Sequence, residues 1–174
     1  YDEALKKAQE LGFAEANPEF DVEGKDAAQK LVILSSLAFN AKLEDNIFTK
    51  GITKLDKFDL KYASQLGYKI KLLAISKFNE GEVELRVHPT MIPKTHELAT
   101  VKNELNAVYV VGDNISEAML YGRGAGQLPT ATVVVGDIID IAKGKKDIFY
   151  FEDVKLKDIK QVKSKYYLKY QCLD

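Results

Sequence analysis

The spacing of apolar residues has a helical period over roughly the first third of the chain, and mainly a strand period after it. At the start, Leu5, Ala8 and Leu11 fall on one stripe of a helix. Asp2 suits the N-cap of that helix and Gly12 suits its end. The pattern therefore predicts an amphipathic first helix between Asp2 and Gly12.

Two more helices are predicted before the period changes. Asp26 opens "DAAQKLVILSSLAFN", and Asp26 and Gln29 have the spacing of a capping box. From Leu31 to Phe39 this helix is apolar nearly all round, which predicts that it is buried. A third helix is expected over "LDKFDLKYASQLG", with Gly67 at its end.

The second half reads mainly as strands. "KIKLLAISKF" and "VELRVHP" flank the turn "NEGE", which predicts a hairpin. "NAVYVVGD" and "SEAMLYGRG" predict a second hairpin that turns at residues 112–114. A last helix should begin near Pro129 and run through "TATVVVGDIIDIAKG", and the tail "SKYYLKYQCLD" has a strand pattern. The fold class is α+β, with a mixed or mostly antiparallel sheet and helices packed on one face.

Composition excludes several classes of function. The chain has 174 residues, of which 46% are hydrophobic, and a formal net charge of -1. That charge gives no field to recruit nucleic acid or an anionic membrane, and no apolar run is long enough to cross a bilayer. Cys172 is the sole cysteine, which fits a reducing, cytoplasmic compartment. One Cys and two separated His residues predict no metal site.

The stretch "FAEANPEFDVEGKDAAQK" holds five carboxylates within eighteen residues. Asp26 and Lys30 lie one helical turn apart, and a surface pair of this kind contributes only roughly 0.3–0.5 kcal/mol. In one interpretation Asp26 is simply a helix cap, which the helix dipole favours, and Lys30 is a solvated neighbour.

The alternative is a binding and proton-transfer site. Convergent carboxylates from Glu15, Asp21 and Asp26 would recognise an ammonium group through charge-assisted hydrogen bonds. Lys30 would then transfer a proton. Nearby carboxylates raise the pKa of a lysine and burial lowers it, so this chemistry needs a site from which water is excluded.

"GRGAG", from Gly122 to Gly126, leaves a predicted antiparallel strand. Without a surrounding βαβ unit it is not a dinucleotide-binding fingerprint. It is either a flexible turn ahead of a helix or a place where the backbone approaches a ligand closely, because glycine has no Cβ to prevent that.

Several of these motifs, in this order, resemble those of homoserine dehydrogenases. That family typically shows Gly-Tyr-x-Glu-x-Asp-Pro and then Asp-[Val/Leu]-x-Gly-x-Asp-x-x-x-Lys. The stretch "GFAEANPEFDVEGKDAAQKLVIL" carries the matching residues in register, namely Gly12, Glu15, Pro18, Asp21, Gly24, Asp26 and Lys30. The resemblance continues through "VHPTMIP", "NAVYVVGD" and "YGRGAGQLPTATVVVGDIIDIA", and covers most of residues 3–143. Phe13 and Asn17 depart from the usual Tyr and Asp.

The resemblance implies a catalytic activity. Homoserine dehydrogenases interconvert L-homoserine and L-aspartate 4-semialdehyde with NAD(P), on the route to threonine, methionine and isoleucine. Carried onto this sequence, Lys30 takes the general acid/base position, and Glu15, Asp21 and Asp26 take substrate-binding positions. The resemblance places three glycines near the cofactor: Gly12, Gly124 and Gly126. It also implies a homodimer.

The resemblance further implies a division of the chain. Full members begin with a nucleotide-binding Rossmann domain that this sequence lacks. Residues 1–146 are expected to form the catalytic, substrate-binding and dimerisation domain, and residues 147–174 a linker and the first strand of a truncated ACT-like regulatory domain. Such an excised middle should be inactive alone. Two rival interpretations stay open: a related NAD(P)-dependent oxidoreductase acting on another amino-acid semialdehyde, and a non-enzymatic dimerisation module.

Overall fold

The computed structural model describes residues 2–10, 12, 16–146 and 149–170. The helices in these ranges are α1 (Asp2–Glu10), α2 (Glu19–Val22), α3 (Lys25–Phe39), α4 (Lys57–Gln65) and α5 (Gln127–Ala142). The strands are β1 (Ala41–Lys42), β2 (Phe48–Thr49), β3 (Tyr68–Asn79), β4 (Glu82–Pro93), β5 (Leu105–Gly112), β6 (Ser116–Arg123), β7 (Glu152–Asp153) and β8 (Lys155–Leu156). Short 3₁₀ turns cover Glu97–Thr100 and Ile159–Gln161.

The main sheet is built around β4. The predicted hairpin is present: β3 runs antiparallel to β4 along its whole length, from Tyr68 opposite Pro93 to Asn79 opposite Glu82. On the other edge of β4, the short strands β2 and β8 pair with it in parallel. Together with the five helices, this confirms the predicted α+β class with a mixed sheet.

Helix α3 covers one face of this sheet. Val83, Leu85 and Val87 alternate along β4 and meet Ala28 and Leu31 of α3 in the core. The Ser35 and Ser76 hydroxyls hydrogen-bond across the same interface at 2.8 Å. Because successive residues of a strand point to opposite faces, the period-two pattern of β4 determines which side chains meet the helix.

The outer face of α3 is uncovered, which corrects the prediction of a buried helix. Ile33, Leu34 and Leu37 are 60%, 47% and 47% exposed. They follow Lys30 at positions i+3, i+4 and i+7, so all four side chains share one face of the helix. A sheet reaches only the opposite face, and apolar composition alone cannot show which side of a helix is packed.

The predicted capping box at Asp26 is also wrong. The N-cap of α3 is Gly24, at φ 78° and without a side-chain cap. A capping box is present instead at α4, where Asp56 and Asp59 cap each other's backbone N–H groups. Asp26 lies inside α3 because Gly24 adopts the left-handed conformation and starts the helix two residues earlier than predicted.

The second hairpin is separate from the main sheet. Strands β5 and β6 pair antiparallel from Leu105 opposite Arg123 to Gly112 opposite Ser116, as predicted, but form a two-stranded sheet of their own. Helix α5 follows them and begins two residues before Pro129, and none of its residues is buried. No helix among the described residues is long and apolar enough to span a membrane.

The strand predicted for the tail is not found over the described residues 162–170. This segment is held by side chains rather than by a backbone ladder. The Tyr167 hydroxyl donates to Asp59 at 3.0 Å, and the Lys169 ammonium donates to Asp56 at 2.7 Å and to Asp59 at 3.1 Å. The tail is therefore tied to the start of α4. Cys172 lies outside the described residues.

We expect Asp59→Ala to lower the free energy of unfolding by about 1–2 kcal/mol, because Asp59 is buried and anchors both the capping box and the tail. The hydrogen bond from the Asp56 N–H is the main cause that lowers the pKa of Asp59 below its usual value. The stabilisation is thus complete at neutral pH and is lost as pH falls below about 4.

Urea denaturation between neutral and acidic pH measures this prediction. Asp59→Asn should flatten the acid limb of the stability curve. The exposed Asp137→Asn on α5 serves as the control and should leave the curve unchanged. Equal acid dependence in Asp59→Asn and the unmutated chain would contradict the assignment.

Candidate functional site

Residues 19–25 of the acidic stretch, here called the corner, form a tight turn between α2 and α3 rather than a plain loop. The acidic stretch contains the short helix α2, and Gly24 then turns the chain into α3. Gly24 is buried, and a Cβ there would lie 3.0 Å from Val87 of the sheet. The left-handed φ and this close approach both require glycine.

The structure brings Lys30 and Asp26 together. The Lys30 Nζ donates to Asp26 Oδ2 at 2.6 Å, one turn apart on α3. The two side chains are 64% and 36% exposed, so the pair lies at the surface. Asp26 is in the first turn of the helix, where the helix dipole favours negative charge. The ammonium of Lys30 is thereby held beside a carboxylate and remains reachable from outside.

Of the other two predicted carboxylates, only Asp21 lies among the described residues. Asp21 lies on α2 with an exposed side chain, and its main-chain carbonyl accepts from the Gly24 N–H at 3.0 Å. Glu15 lies outside the described residues. Within the described part of the chain, the hydrogen bond of the Lys30 amine goes to Asp26.

A loop after β2 clasps the corner between α2 and α3. The Ile52 N–H donates to the Val22 carbonyl at 2.9 Å, and the Thr53 hydroxyl donates to Glu23 Oε1 at 2.5 Å. Any Cβ on Gly51 would overlap the Val22 carbonyl and the Cα of Glu23. The backbone contact at Gly51 is therefore as close as glycine alone permits.

The three glycines predicted to approach the cofactor differ in geometry. Gly12 has φ 73° and its N–H donates to the Gln9 carbonyl, which ends α1 as predicted. Gly126 is the N-cap of α5 at φ 118° and ψ 156°, a conformation that side chains disfavour. A Cβ on Gly124 would overlap the Asn106 amide. Gly124 and Gly126, which lie just before α5, are both exposed.

The Lys30 site is an open surface and not a cavity. A depression of about 400 Å³ does exist, but it lies at the gap between β2 and β8 beside Leu85 and is lined by Phe48 and Leu156. None of the predicted site residues lines it. We therefore assign the depression no part in the chemistry of Lys30.

Comparison with known proteins decides the family. The model of the homoserine dehydrogenase family matches residues 1–139. The chain belongs to the homoserine dehydrogenase family. The identification made from the sequence motifs is therefore confirmed.

Individual homoserine dehydrogenases show how much of each protein is matched. One from Neisseria gonorrhoeae is 51% identical over 144 residues, which are 82% of this chain and 33% of the relative. One from Helicobacter pylori is 46% identical over 173 residues, 96% of this chain and 41% of the relative. The chain thus spans between a third and a half of the length of these homoserine dehydrogenases.

A solved homoserine dehydrogenase shares the fold. The crystal structure of the enzyme from Thiobacillus denitrificans superposes with a TM-score of 0.85 at 41% identity, and the match covers 92% of this chain and 40% of that one. The α+β arrangement described above is therefore that of a homoserine dehydrogenase segment.

Sequence reasoning missed the clasp between Glu23, Gly51 and Thr53. A weak signal was available, because "KGITK" follows β2 and a glycine beside a strand often marks a close backbone approach. Nothing in the sequence identifies the partner of Gly51, since it lies about thirty positions away in the chain. The capping box of α4 could have been found from the Asp-x-x-Asp spacing.

Proposed function

We propose that this chain is the catalytic and substrate-binding segment of a homoserine dehydrogenase, with L-homoserine and L-aspartate 4-semialdehyde as its substrates. Residues 1–146 form this segment in the proposal, and residues 147–174 a linker and the start of a truncated ACT-like regulatory domain, although the strand expected there is not found over residues 162–170. The observation that carries the proposal is the contact between Lys30 and Asp26, accessible on the first turns of α3.

Lys30 is the proposed general acid/base. In oxidation its amine accepts the proton of the substrate hydroxyl, and in reduction its ammonium returns that proton to the alkoxide oxygen. Asp26, 2.6 Å from the amine, orients it and offers its remaining oxygen to the substrate. Glu15 and Asp21 are proposed to bind the substrate ammonium through charge-assisted hydrogen bonds.

The cofactor in the proposal is NAD(P), which supplies the hydride acceptor when bound. The backbone at Gly126 fits the approach of a flat ring, because glycine carries no side chain of its own and the residues at the start of α5 are exposed. Gly124 shapes the turn before α5, and Gly12 ends α1. These residues hold the nicotinamide side of the cofactor only.

The nucleotide side of the cofactor is assigned to a further domain. The curated relatives are more than twice as long as this chain. The exposed apolar residues Ile33, Leu34 and Leu37 share a helix face with Lys30, and a second domain closing over that face would exclude water from the amine. Exclusion of water is what proton transfer by a lysine requires.

The setting of the proposed enzyme follows from its family. We place it in the cytoplasm, on the route to threonine, methionine and isoleucine. A homodimer fits the extensive apolar exposure of α5, where Val133, Val134 and Ile138 are each more than half exposed.

A chimera tests the proposed activity. Residues 1–174 replace the matched segment of the Helicobacter pylori relative, and formation of reduced nicotinamide is followed with L-homoserine, L-serine and 5-hydroxy-L-norvaline. We expect L-homoserine to be preferred in kcat/KM by about 10- to 200-fold, the discrimination typical of one methylene group.

The unmodified relative and circular dichroism of the chimera serve as controls for assay and folding. A folded chimera that oxidises the shorter or longer analogue as well as L-homoserine would favour the rival oxidoreductase. A folded chimera that oxidises none of them would favour the dimerisation module.

A further inference from the structure

We propose that Glu23 is a positioning residue for the reaction, acting through its hydrogen bond with Thr53 to hold the first turn of α3 in place. The inference rests on the proposed function of Lys30 and names the contact that aims it. In this proposal neither Glu23 nor Thr53 touches the reacting atoms.

The first step is that, among the described residues, no side-chain hydrogen bond from the first turn of α3 reaches the sheet, because Lys25 pairs with Glu19 inside the corner. Its N-cap is Gly24, which carries no capping side chain. The Gly24 carbonyl accepts from the Ala28 N–H at 2.9 Å, and the Gly24 N–H donates to Asp21 at 3.0 Å. Both bonds lie within the corner and do not join it to the sheet. Ala28 gives the first turn an apolar contact with the sheet, and a directed polar contact must come from another element.

The loop after β2 supplies those contacts. The Ile52 N–H binds the Val22 carbonyl at 2.9 Å and the Thr53 hydroxyl binds Glu23 at 2.5 Å. The same loop is joined to the central strand, because the Lys50 N–H donates to the Val87 carbonyl at 2.8 Å. Glu23 is therefore the side chain that connects the corner to the main sheet through this loop.

The consequence for Lys30 is geometric. Glu23 precedes Asp26 by three residues, with the left-handed Gly24 between them. A glycine at this point provides little stiffness of its own. If Glu23 is released, the first turn of α3 gains freedom and the contact between Asp26 and Lys30 loses its fixed direction. A misplacement of about 1 Å can cost roughly 10²-fold in rate.

Kinetics of the chimera test the proposal. We expect Glu23→Ala and Thr53→Val each to lower kcat by about 10- to 100-fold with a smaller change in KM. The double variant should be no worse than either single one, because both remove the same bond. Glu23→Gln and Thr53→Ser keep an acceptor and a hydroxyl and should restore most of the rate.

Glu19→Ala is the matched control. Glu19 lies in the same acidic corner and pairs with Lys25 at 2.8 Å, but this pair stays within the corner and does not reach the sheet. We expect its removal to leave kcat unchanged. An equal loss of kcat in Glu19→Ala and Glu23→Ala would overturn the assignment to Glu23.

Amide hydrogen exchange separates this inference from the proposed function. In the 174-residue chain, Glu23→Ala should speed exchange over residues 22–30 and at Ile52, while Glu23→Gln should not. Unchanged exchange in Glu23→Ala overturns the inference whatever the activity. Faster exchange with unchanged kcat overturns it too, whereas an inactive unmutated chimera counts against the proposed function alone.

Discussion

Replacing Lys30 by alanine in the chimera is expected to lower kcat for L-homoserine oxidation by about 10²–10⁴-fold, the usual contribution of general acid/base catalysis. The variant loses the amine that accepts the hydroxyl proton, and Asp26 loses the partner 2.6 Å away. Stability should hardly change, because an exposed ion pair contributes little to folding. Steady-state kinetics and urea denaturation of the same preparation measure the two effects separately.

Lys25→Ala is the control for this prediction. Lys25 is the first residue of α3 and forms its own ion pair with Glu19 at 2.8 Å, with both side chains more than half exposed. The two lysines therefore share helix, charge and type of partner. Lys25→Ala should keep full activity. If Lys30→Ala also kept it, the non-enzymatic interpretation would replace the one proposed here.

Replacing Arg86 by methionine is expected to lower the free energy of unfolding of the chain by about 3–5 kcal/mol, because it leaves a buried carboxylate without its partner. Arg86 and Glu84 alternate on β4 and form an ion pair, with side chains only 9% and 13% exposed. The Arg86 Nε also donates to His88 at 3.0 Å. Burial lowers the pKa of Arg86 from its usual value.

Urea denaturation of the isolated chain measures this loss. Lys155→Met is the control. The Lys155 side chain pairs with Glu82 of β4 at 2.5 Å and is 73% exposed. Water can therefore solvate Glu82 when the lysine is removed. The double variant Glu84→Leu with Arg86→Met should recover part of the loss, because no charge is then left buried. A loss as small as that of Lys155→Met would show that the pair does not stabilise the sheet.

Local chemistry explains why some elements were predicted correctly. The strands β3 and β4 and their turn follow from alternation and from "NEGE", and β5 and β6 from the same pattern. These signals lie within one hairpin, so the sequence contains both partners close together. The family motifs are likewise short and local, and their residue types and spacing are sufficient to indicate the homoserine dehydrogenase family.

The errors share the opposite cause. The tail from residue 164 has the pattern of a strand, but Asp59 of α4, more than a hundred positions away, holds it instead. The corner before α3 reads as a loop with a cap at Asp26, but the clasp at Gly51 and Thr53 sets its shape. In both cases the deciding partner is remote in the sequence.

By itself, the sequence determined the α+β class, both hairpins, the family, and the one-turn spacing of Asp26 and Lys30, because each depends on residues near one another in the chain. The packed face of α3, the hydrogen bond between Thr53 and Glu23, and the burial of the Glu84–Arg86 pair became known only from the three-dimensional arrangement. Each of these features depends on contacts between residues that are distant in the sequence. Side chains are buried and packed closely only when the chain has folded and brought those residues together.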